Sequence, residues 1–496
     1  MIFALHKIEV GKQWPLFDVT GTRRIERAAQ AVVGEHVLME RAGRAVAQLT
    51  LALAPHARSI WIAAGPGNNG GDGLEAAVLL RAWGKQVVVT WLGTVELASA
   101  DTAAAWRRAV DAGVTFANEP PAQFDFCVDA LLGIGATRPP EYQMARWIAH
   151  MHAVKAPVLA IDLPTGLNAD TGETADICVR ALATVCLLTL KPGLYTAGGR
   201  DATQQVWLDT LQLDVQSSQI SSCSPSAMLS GAPVARMLPH ASHKGSFGDV
   251  AIVGGASGMT GAAFLAGSAA LHCGAGRVFL ALLDPAALTV NTQQPELMLR
   301  AVDQLDLAAA AIVCGCGGGD AIRTHLPKIL ASAHSLVLDA DALNAIACDV
   351  QLKAHLRARV TRGWRTVLTP HPLEAARLLG ISTDAIQKNR FVSAQLLARE
   401  FRCTVVLKGS GSIVATPDQL PFVNPTGNAR LATAGTGDVL GGAIGAGLAL
   451  GRPEFAAACD AVYIHGRGAD KWPAHHALTA SGLARSLRTA TGIRKQ

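Results

Sequence analysis

The sequence contains few charged and few aromatic residues for its length, and several kinds of functional region are missing from it. Of its 496 residues 16% are charged and 5% are aromatic, with a net charge of +5. Lysine and arginine form no stripe, so we expect no nucleic-acid groove and no nucleic-acid partner. No segment has about 18 uninterrupted strongly apolar residues, and the N-terminus lacks a secretion signal. We therefore expect a cytoplasmic protein that does not bind a membrane.

The ten cysteines include no C-x-x-C pair, which is the spacing typical of zinc ribbons and redox-active dithiols. We expect reduced, mostly buried thiols rather than disulfides. The chain is too long for one ordinary hydrophobic core, so it is expected to form at least two domains. Half of the residues are hydrophobic, which favours well-buried α/β domains over disorder.

A glycine-rich loop between a strand and a helix is the first candidate site. Ser59–Ala64 is predicted to be a buried strand, and residues Gly65–Gly73 form a loop before a predicted helix, Leu74–Trp83. Glycines in this position let backbone N–H groups approach a phosphate. The loop matches G-x-G-x-x-G, but the second strand lacks the acid of a dinucleotide site. Its Asn and Asp side chains indicate a cation or a polar ligand, or else a tight turn with Asx caps.

Polar residues also follow later predicted strands of the first half. Asp129, Asp162 and Thr165 come at or just after strand ends, as Asn69 does in the glycine loop. Parallel strands end at the same edge of a sheet, where ligands bind, so we expect these side chains to converge. Each alone could be a cap or turn residue, but together they favour a ligand site.

The motifs GNNGGDG, DALLGIG and IDLPTGLNADTG resemble those of the YjeF N-terminal family, the NAD(P)H-hydrate epimerases. The resemblance implies a Rossmann-like three-layer sandwich, placed at residues 1–222, which interconverts the R and S epimers of a hydrated nicotinamide ring. It implies Asp162 as the acid/base and Asn69, Asp129 and Thr165 as potassium ligands. The implied substrate-binding residues are Asn68, Asn69, Gly70, Gly71, Asp72, Gly133, Ile134, Gly135, Ala136, Thr137, Arg138, Pro139 and Asp162. Glu75 departs from the small apolar residue that is usual after GDG, which predicts a disturbance of helix packing.

The stretch from Leu213 to Leu238 is rich in Ser, Pro and Gly and loses periodicity, so it is predicted to be a linker. We place the domain boundary near Cys223, with the second domain at residues 223–496.

The second half contains further polar clusters at predicted strand ends. Asp339 and Asp341 could contact a metal or its water shell, or cap a helix. His371 lies between two prolines, where it could bind substrate or transfer a proton. Lys408–Ser412 places a lysine and two hydroxyls between glycines, a composition suited to nucleotide phosphate, although it is not a Walker A loop.

The stretch Asn424–Gly451 holds the most informative motif. Gly435, Thr436, Gly437 and Asp438 precede an uncharged helix predicted over Val439–Leu450. The N-terminus of a helix attracts anions, so Asp438 beside it is either a proton-handling group at a phosphate site or a simple N-cap.

The segments HKGSFG, GGASGMTGA, DADALN, LTPHPLE, LKGSGS and NARLATAGTGDVLGG resemble the YjeF C-terminal family, the ADP-dependent NAD(P)H-hydrate dehydratases of the ribokinase-like superfamily. The resemblance implies a ribokinase-like α/β domain that uses ADP and Mg²⁺. It implies that Ala262, Gly317, His371 and Asp438 bind the hydrated cofactor, with Asp438 catalytic. The residues implied for nucleotide binding are Lys408, Gly409, Ser410, Gly411, Ser412 and Gly437. Cys316 replaces the usual proline of its loop, which predicts a looser loop.

The expected activity is therefore repair of hydrated NADH and NADPH, NADHX and NADPHX, by epimerisation and by ADP-dependent dehydration to NAD(P)H, AMP and phosphate. We expect a homo-oligomer whose epimerase domain binds K⁺. Two alternatives are a small-molecule kinase such as a vitamin kinase, which would release a stable phosphorylated product, and a first half that binds ligand without catalysis.

Overall fold

The chain forms two compact units, comprising Met1–Glu9 with Trp14–Ala227 and Val10–Gln13 with Met228–Gln496. The structure, a computed structural model, describes residues 5–136, 138–214, 223–238, 240–287, 290–488 and 491–493. The predicted linker is only partly irregular, because two short strands form within it, and residues 215–222 lie outside the described ranges. None of the helices in those ranges combines the length and the apolarity needed to cross a bilayer.

The first unit alternates strands and helices. Its strands are β1 (Leu5–Lys7), β2 (Trp14–Leu16), β3 (Ser59–Ala64), β4 (Gln86–Trp91), β5 (Thr115–Phe116), β6 (Phe126–Ala130), β7 (Val158–Ile161), β8 (Ala183–Leu187) and β9 (Gln205–Asp209). Its helices are α1 (Val19–Val33), α2 (Val37–Leu53), α3 (Asn68–Ala82), α4 (Ala100–Asp111), α5 (Tyr142–Val154) and α6 (Gly199–Thr203). The main sheet has the order β1-β9-β8-β7-β6-β3-β4-β5, and only β1 is antiparallel to its neighbour.

Strand β3 shows why this sheet is covered on both faces. Ile60 and Ile62 pack into a core that includes residues of α2, α3 and α4, whereas Trp61 and Ala63 pack into a separate core with α5. Successive side chains of a strand point to opposite faces, so a strand that is apolar throughout requires two helical layers. The predicted three-layer Rossmann-like arrangement is confirmed.

The strand order also locates the crevice of the first unit. From β5 to β8 the order is β5-β4-β3-β6-β7-β8, which is that of a dinucleotide-binding fold, with the direction of winding reversing between β3 and β6. Ligands of such folds bind outside the carboxyl ends of the strands at this point. The loops after β3 and β6 therefore form the expected crevice.

The second unit is a larger α/β structure. Its strands are β10 (Ala227–Leu229), β11 (Arg236–Leu238), β12 (Asp249–Gly254), β13 (Arg277–Leu282), β14 (Leu297–Leu299), β15 (Ala311–Cys314), β16 (Ser335–Leu338), β17 (Arg365–Leu368), β18 (Thr404–Leu407), β19 (Ile413–Thr416), β20 (Gln419–Val423) and β21 (Thr491–Ile493). Its helices are α7 (Thr260–His272), α8 (Leu326–Ser332), α9 (Ala340–Ala347), α10 (Val350–Ala358), α11 (Pro372–Leu379), α12 (Thr383–Lys388), α13 (Arg390–Phe401), α14 (Thr436–Ala449), α15 (Glu454–Asp470) and α16 (Ala480–Ser486).

The main sheet of the second unit is parallel from β14 to β18, in the order β14-β13-β12-β15-β16-β17-β18. Strand β19 then pairs antiparallel with both β18 and β20. Winding reverses between β12 and β15, so a second crevice is expected at the carboxyl ends of these two strands.

Two predicted helix boundaries were wrong. The sequence shows helical periodicity over Ile25–Leu53, but these residues belong to two helices, α1 and α2, because Gly34 and His36 have φ values of 89° and 63° and interrupt the helix. Helix α3 begins at Asn68, so residues Asn68–Gly73 of the predicted glycine loop form its first turns. Tertiary packing decides such boundaries, and a single sequence locates them only to within about two to four residues.

Helix α14 is set deep in the second unit by glycines. A Cβ atom on Gly442 would lie 2.0 Å from the carbonyl oxygen of Ala266 in α7, and one on Gly445 would lie 2.5 Å from Val313 in β15. Glycine therefore permits the close packing that holds the N-terminus of α14 beside the sheet.

We predict that Gly442→Ala destabilises the protein by about 1–3 kcal/mol, the usual cost of overpacking. The matched control is Gly261→Ala in the first turn of α7, where an added Cβ meets nothing within 4 Å. That change is expected to be neutral or to stabilise by up to about 1 kcal/mol, since alanine is the better helix former. Thermal unfolding of both variants tests this, and equal melting temperatures would contradict it.

Candidate active sites

The crevice of the first unit is a cavity of about 460 Å³. The backbone of the glycine loop packs tightly beside this cavity. A Cβ on Gly65 would lie 1.8 Å from the carbonyl oxygen of Leu131, and a Cβ on Gly70 would lie 2.0 Å from the carbonyl oxygen of Gly65. The predicted substrate-binding residues that line the cavity are Asn68, Asn69, Asp72, Gly133, Ile134, Gly135, Ala136 and Asp162.

The remaining predicted substrate-binding residues lie elsewhere. Gly70 and Gly71 are buried in α3, whereas Arg138 and Pro139 are exposed and do not line the cavity. Thr137 lies outside the described residues.

Asp162 enters the cavity from the end of β7, held by a buried lysine that the sequence analysis missed. Lys191 is fully buried, and its ammonium donates hydrogen bonds to Oδ1 of Asp162 and, at 3.2 Å, to the carbonyl oxygen of Leu187. The Leu187 N–H also donates to Oδ1, at 3.2 Å. Oδ2 accepts no hydrogen bond from the described residues, so this oxygen is available to a ligand.

The predicted potassium ligands include two residues in direct contact. Thr165 donates to Asp129 from its hydroxyl at 2.7 Å and from its backbone N–H at 2.8 Å. Asp129 is fully buried and forms no ion pair with a described residue, and burial raises its pKa to about 6. Asn69, the third predicted ligand, lines the 460 Å³ cavity, and its buried Nδ2 has no hydrogen-bond partner among the described residues.

Three of the carboxyl groups in this cavity are close enough to influence one another. Burial raises the pKa of Asp72 well above its usual range, and the charges of Asp162 and Glu26 raise it further. The pKa of Glu26 is raised by burial and by Asp162, while Lys191 and neighbouring arginines oppose the rise. Glu26 lies in α1, where no sequence motif singles it out.

The predicted disturbance of helix packing at Glu75 is not found. It is buried, and its carboxylate accepts hydrogen bonds from the Arg108 guanidinium of α4, one of them at 2.8 Å from Nε. Arg108 supplies the positive charge that a buried carboxylate needs.

In the second unit, the start of α14 decides between the two interpretations of Asp438. Gly435, with φ of 87°, occupies the N-cap position, and Asp438 lies in the first turn. The N-cap interpretation is therefore wrong. His465, buried on α15, contacts the carbonyl oxygen of Thr436 at 2.9 Å through Nε2, and burial lowers its pKa to about 4, so it is neutral.

Asp438 lies near two buried side chains. One ligand-type atom from each of Cys316, Asp339 and Asp438 falls within 4.8 Å of the others. Burial, and then the charge of Asp339, raise the pKa of Asp438 to about 7, although a hydrogen bond from the Cys316 thiol and the charge of Lys408 oppose the rise. Asp438 thus gains and loses its proton near neutral pH.

Asp339 forms an ion pair with a buried lysine, whereas Asp438 forms none with a described residue. The ammonium of Lys408 lies 2.7 Å from Oδ1 of Asp339 and 3.8 Å from Oε2 of Glu374. Burial alone would lower the pKa of Lys408, but these two carboxylates raise it. Asp339 occupies the N-cap position of α9 without a side-chain cap, and Asp341 instead accepts the Gly319 N–H at 2.8 Å.

His371 caps α11. Its Nδ1 accepts the N–H groups of Leu373 and Glu374 at 3.1 and 3.3 Å, and the Glu374 carboxylate accepts the His371 N–H at 2.7 Å. Burial, together with the nearby Lys408, lowers the pKa of His371. The ring is therefore neutral with its proton on Nε2, and its side chain is 45% exposed.

The loop after β15 brings two predicted cofactor-binding residues together. A Cβ on Gly317, where φ is 57°, would lie 2.9 Å from that of Ala262. The carbonyl oxygens of Cys316 and Gly317 accept the N–H groups of Gly255 and Ala256 at 2.9 and 2.7 Å. The loosening predicted for Cys316 is therefore wrong, because the residue is fully buried and firmly bonded.

The nucleotide-binding residues predicted after β18 form a tight loop. Arg390, almost fully buried, donates to the carbonyl oxygen of Lys408 at 3.1 Å, and Ser412 donates from its hydroxyl to that of Gly409 at 3.2 Å. An ideal Cβ on Gly437 would lie 3.5 Å from the Lys408 ammonium, so the lysine and the start of α14 are neighbours.

Comparisons with known proteins find matches to both halves of the chain. Residues 250–490 match the family model of NAD(P)H-hydrate dehydratases, and residues 35–193 match that of the YjeF-related protein N-terminus. The bifunctional NAD(P)H-hydrate repair enzyme of Escherichia coli is 36% identical over 90% of this chain and 88% of its own. An ADP-dependent (S)-NAD(P)H-hydrate dehydratase of Neisseria meningitidis is 43% identical over 50% of this chain and 85% of its own.

Among solved structures, the chain is similar to an ADP/ATP-dependent NAD(P)H-hydrate dehydratase of Bacillus subtilis, co-crystallised with ATP and Mg²⁺. The two are 29% identical, with a TM-score of 0.43 over 51% of this chain and 92% of that one.

We predict that Asp438→Asn stabilises the fold at pH 8. Because the folded-state pKa of about 7 exceeds the usual carboxyl value, the folded chain binds a proton that the unfolded chain releases, and stability falls as pH rises from about 4 to 7. Asn removes that loss. Each pKa unit is worth about 1.4 kcal/mol, so for this partly exposed group we expect a gain of about 1–3 kcal/mol at pH 8.

Melting temperatures at pH 5 and pH 8 measure this gain, with exposed Asp418→Asn as the control. A gain no larger at pH 8 than at pH 5 would show that Asp438 is not destabilised by burial.

Proposed function

The chain belongs to the family of bifunctional NAD(P)H-hydrate repair enzymes, and we propose how each of its two sites contributes to the repair. The enzyme interconverts the R and S epimers of NADHX and NADPHX and dehydrates the S epimer to NADH or NADPH in an ADP-dependent reaction. We assign the epimerase to residues 1–222 and the dehydratase to residues 223–496. We further propose that the enzyme is a cytoplasmic homo-oligomer.

Dehydration has to overcome the poor leaving ability of hydroxide. The ring hydroxyl attacks the terminal phosphate of ADP while Asp438 takes the hydroxyl proton. This transfer releases AMP and leaves a phosphate ester on the ring. Phosphate then departs as the nitrogen donates its electrons, and the resulting iminium loses a proton from the neighbouring ring carbon, which restores the dihydropyridine. The observation that supports this role is the partly buried Asp438 carboxyl, which has no ion-pair partner of its own among the described residues and a pKa of about 7.

The start of α14 and the lysine loop suit the phosphates of ADP. The first-turn N–H groups of a helix have no intrahelical acceptors. We propose that the N–H groups of Ala434–Gly437, which lead into α14, and the helix dipole stabilise the developing negative charge. We assign ADP to Gly437 and to the loop residues Lys408, Gly409, Ser410, Gly411 and Ser412. The hydrated cofactor is assigned to Ala262, Gly317, His371 and Asp438, and His371 contributes a neutral donor rather than a charge.

The described residues do not fit an all-protein Mg²⁺ site. The one group of metal-capable side chains among them joins the Cys316 thiol to Asp438 and to Asp339, which already binds Lys408. Mg²⁺ prefers oxygen ligands and usually binds through substrate phosphates and water. We therefore propose that Mg²⁺ enters on the phosphates of ADP, where it neutralises charge.

In the epimerase, Asp162 is the acid/base, because its Oδ2 is unengaged within the cavity while Lys191 holds Oδ1. We propose that K⁺ binds Asn69, Asp129 and Thr165. These residues fit the ion, since they offer oxygen donors and Asp129 is a buried carboxylate without a cation among the described residues. K⁺ would neutralise Asp129 and join the start of α3, the end of β6 and the loop after β7. The proton transfers of epimerisation are carried out by the side chains of the cavity.

The decisive experiment is incubation of mixed NADHX epimers with ADP, followed by absorbance at 340 nm and by analysis of AMP and phosphate. Asp438→Asn is expected to slow dehydration by about 10²–10⁴-fold, the usual contribution of a general base, while epimers still exchange. Asp162→Asn is expected to leave only the S epimer repairable at the enzymatic rate. A stable phosphorylated product, or near-normal dehydration by Asp438→Asn, would contradict the proposal.

Dehydration by the wild type is expected to rise with pH through about 7. The base acts as the carboxylate, so activity is lost as pH falls below the pKa of Asp438. A profile of kcat/KM against pH measures this limb, and a flat profile from pH 5.5 to 8 would exclude Asp438 as the titrating base.

K⁺ is predicted to raise the melting temperature of the enzyme relative to choline at equal ionic strength. A ligand that binds only the folded state at 100 times its Kd stabilises by about 2.7 kcal/mol. Asn69→Leu removes one proposed ligand and is expected to abolish the difference. Equal melting temperatures of the wild type in both salts would contradict the potassium site.

A further inference from the structure

Helix α1 forms one wall of the epimerase cavity, although no residue of it belongs to a recognised motif. Thr22, Glu26 and Gln30, spaced four apart, line the cavity on one face of the helix. The helix is firmly placed, because the Thr22 hydroxyl lies 2.8 Å from that of Thr189 and the Val19 N–H donates to a carboxylate oxygen of Asp170 at 2.9 Å.

Epimerisation requires two proton-transfer groups. The hydroxyl and the ring nitrogen share one saturated carbon, so the ring opens when a base removes the hydroxyl proton and the carbon–nitrogen bond breaks with its electrons going to nitrogen. An acid must protonate that nitrogen. The resulting aldehyde rotates and the ring closes on its other face by the reverse steps, which return both protons to their starting groups.

Asp162 is suited to only one of these two tasks. Its Oδ1 is held by the buried Lys191 ammonium and its Oδ2 accepts no hydrogen bond from the described residues, so it enters the cycle as a carboxylate base. The acid has to be a second group that lines the same cavity.

Glu26 and Asp72 are the carboxyl groups to compare, because Asp101, which also lines the cavity, is paired with His36. The charges that act most strongly on Asp72 are those of the carboxylates Asp162, Glu26, Glu75 and Asp101, so an Asp72 carboxylate would be poorly stabilised. Glu26 is also influenced by the charge of Asp162, and it influences Asp72 of α3 in turn. Unlike Asp72, Glu26 has the cations Lys191, Arg23 and Arg27 close by. These cations can stabilise the Glu26 carboxylate that remains after a proton has been donated.

We propose that Glu26 is the proton donor to the ring nitrogen during epimerisation and works in the same cavity as the base Asp162. This inference rests on the proposed function of the first unit. Asp72 then remains protonated and binds substrate through a hydrogen bond.

Epimer exchange without ADP, corrected for the uncatalysed rate, is measured for Glu26→Gln, Glu26→Asp and the exposed control Glu35→Gln. We expect Glu26→Gln to lower kcat by about 10²–10⁴-fold and Glu26→Asp to restore part of it. Because the protonated acid is the active form, the wild type loses kcat/KM as pH rises above the pKa of Glu26, and Glu26→Gln removes this alkaline limb. Dehydration of the S epimer stays unchanged in all three variants.

Exchange by Glu26→Gln within threefold of the wild type, or an alkaline limb that persists in it, would overturn the inference. So would loss of that limb in Asp72→Asn with its retention in Glu26→Gln. If Glu26→Gln fails to fold, a shifted alkaline limb in Glu26→Asp supports the inference and an unshifted one refutes it. If Asp162→Asn abolishes epimer exchange and Glu26→Gln does not, the inference about Glu26 fails while the proposed epimerase function stands. If the wild type catalyses no exchange, the inference and the proposed function are both refuted.

Discussion

Both sites depend on how the chain compensates buried carboxylates. A charge taken out of water is costly unless a partner of opposite sign accompanies it. Lys191 accompanies Asp162 and Lys408 accompanies Asp339, so each of these two buried carboxyl groups has a positive charge beside it. Asp438 and Asp129 have no such partner among the described residues, and their pKa values rise to about 7 and about 6. For the two uncompensated carboxyls we propose proton transfer by Asp438 in dehydration and cation binding by Asp129, whereas the paired Asp162 is proposed as the base of epimerisation.

The two units place these carboxyls by the same device. In each, the winding of a parallel sheet reverses between two adjacent strands, β3 and β6 in one and β12 and β15 in the other. Glycine then allows backbone to approach backbone at the mouth of the crevice, as Gly65 does beside Leu131 and Gly254 beside Cys316. Neither crevice would hold its shape with a side chain at these positions.

The sequence was sufficient to predict buried strands such as Ser59–Ala64, the two α/β units and most of the motif residues. Buried strands followed by glycine and an acidic residue are local signals. It could not reveal the charges that tune them. Lys191 acts on Asp162 across 29 positions and Lys408 on Asp339 across 69, and such contacts have no periodicity to read. Glu26 was missed for the same reason. The first residues of two helices, Asn68 and Thr436, were also not predicted. They become helical through tertiary packing, although the glycines near them disfavour a helix.

The account as a whole depends on ADP converting the ring hydroxyl into a phosphate leaving group, with Asp438 removing its proton. Labelling that hydroxyl with oxygen-18 and analysing the products by mass spectrometry tests this step directly. The account predicts that the label appears in inorganic phosphate, one atom per NADH restored. Label found in water, with unlabelled phosphate, would show that the hydroxyl leaves without being phosphorylated and would contradict it.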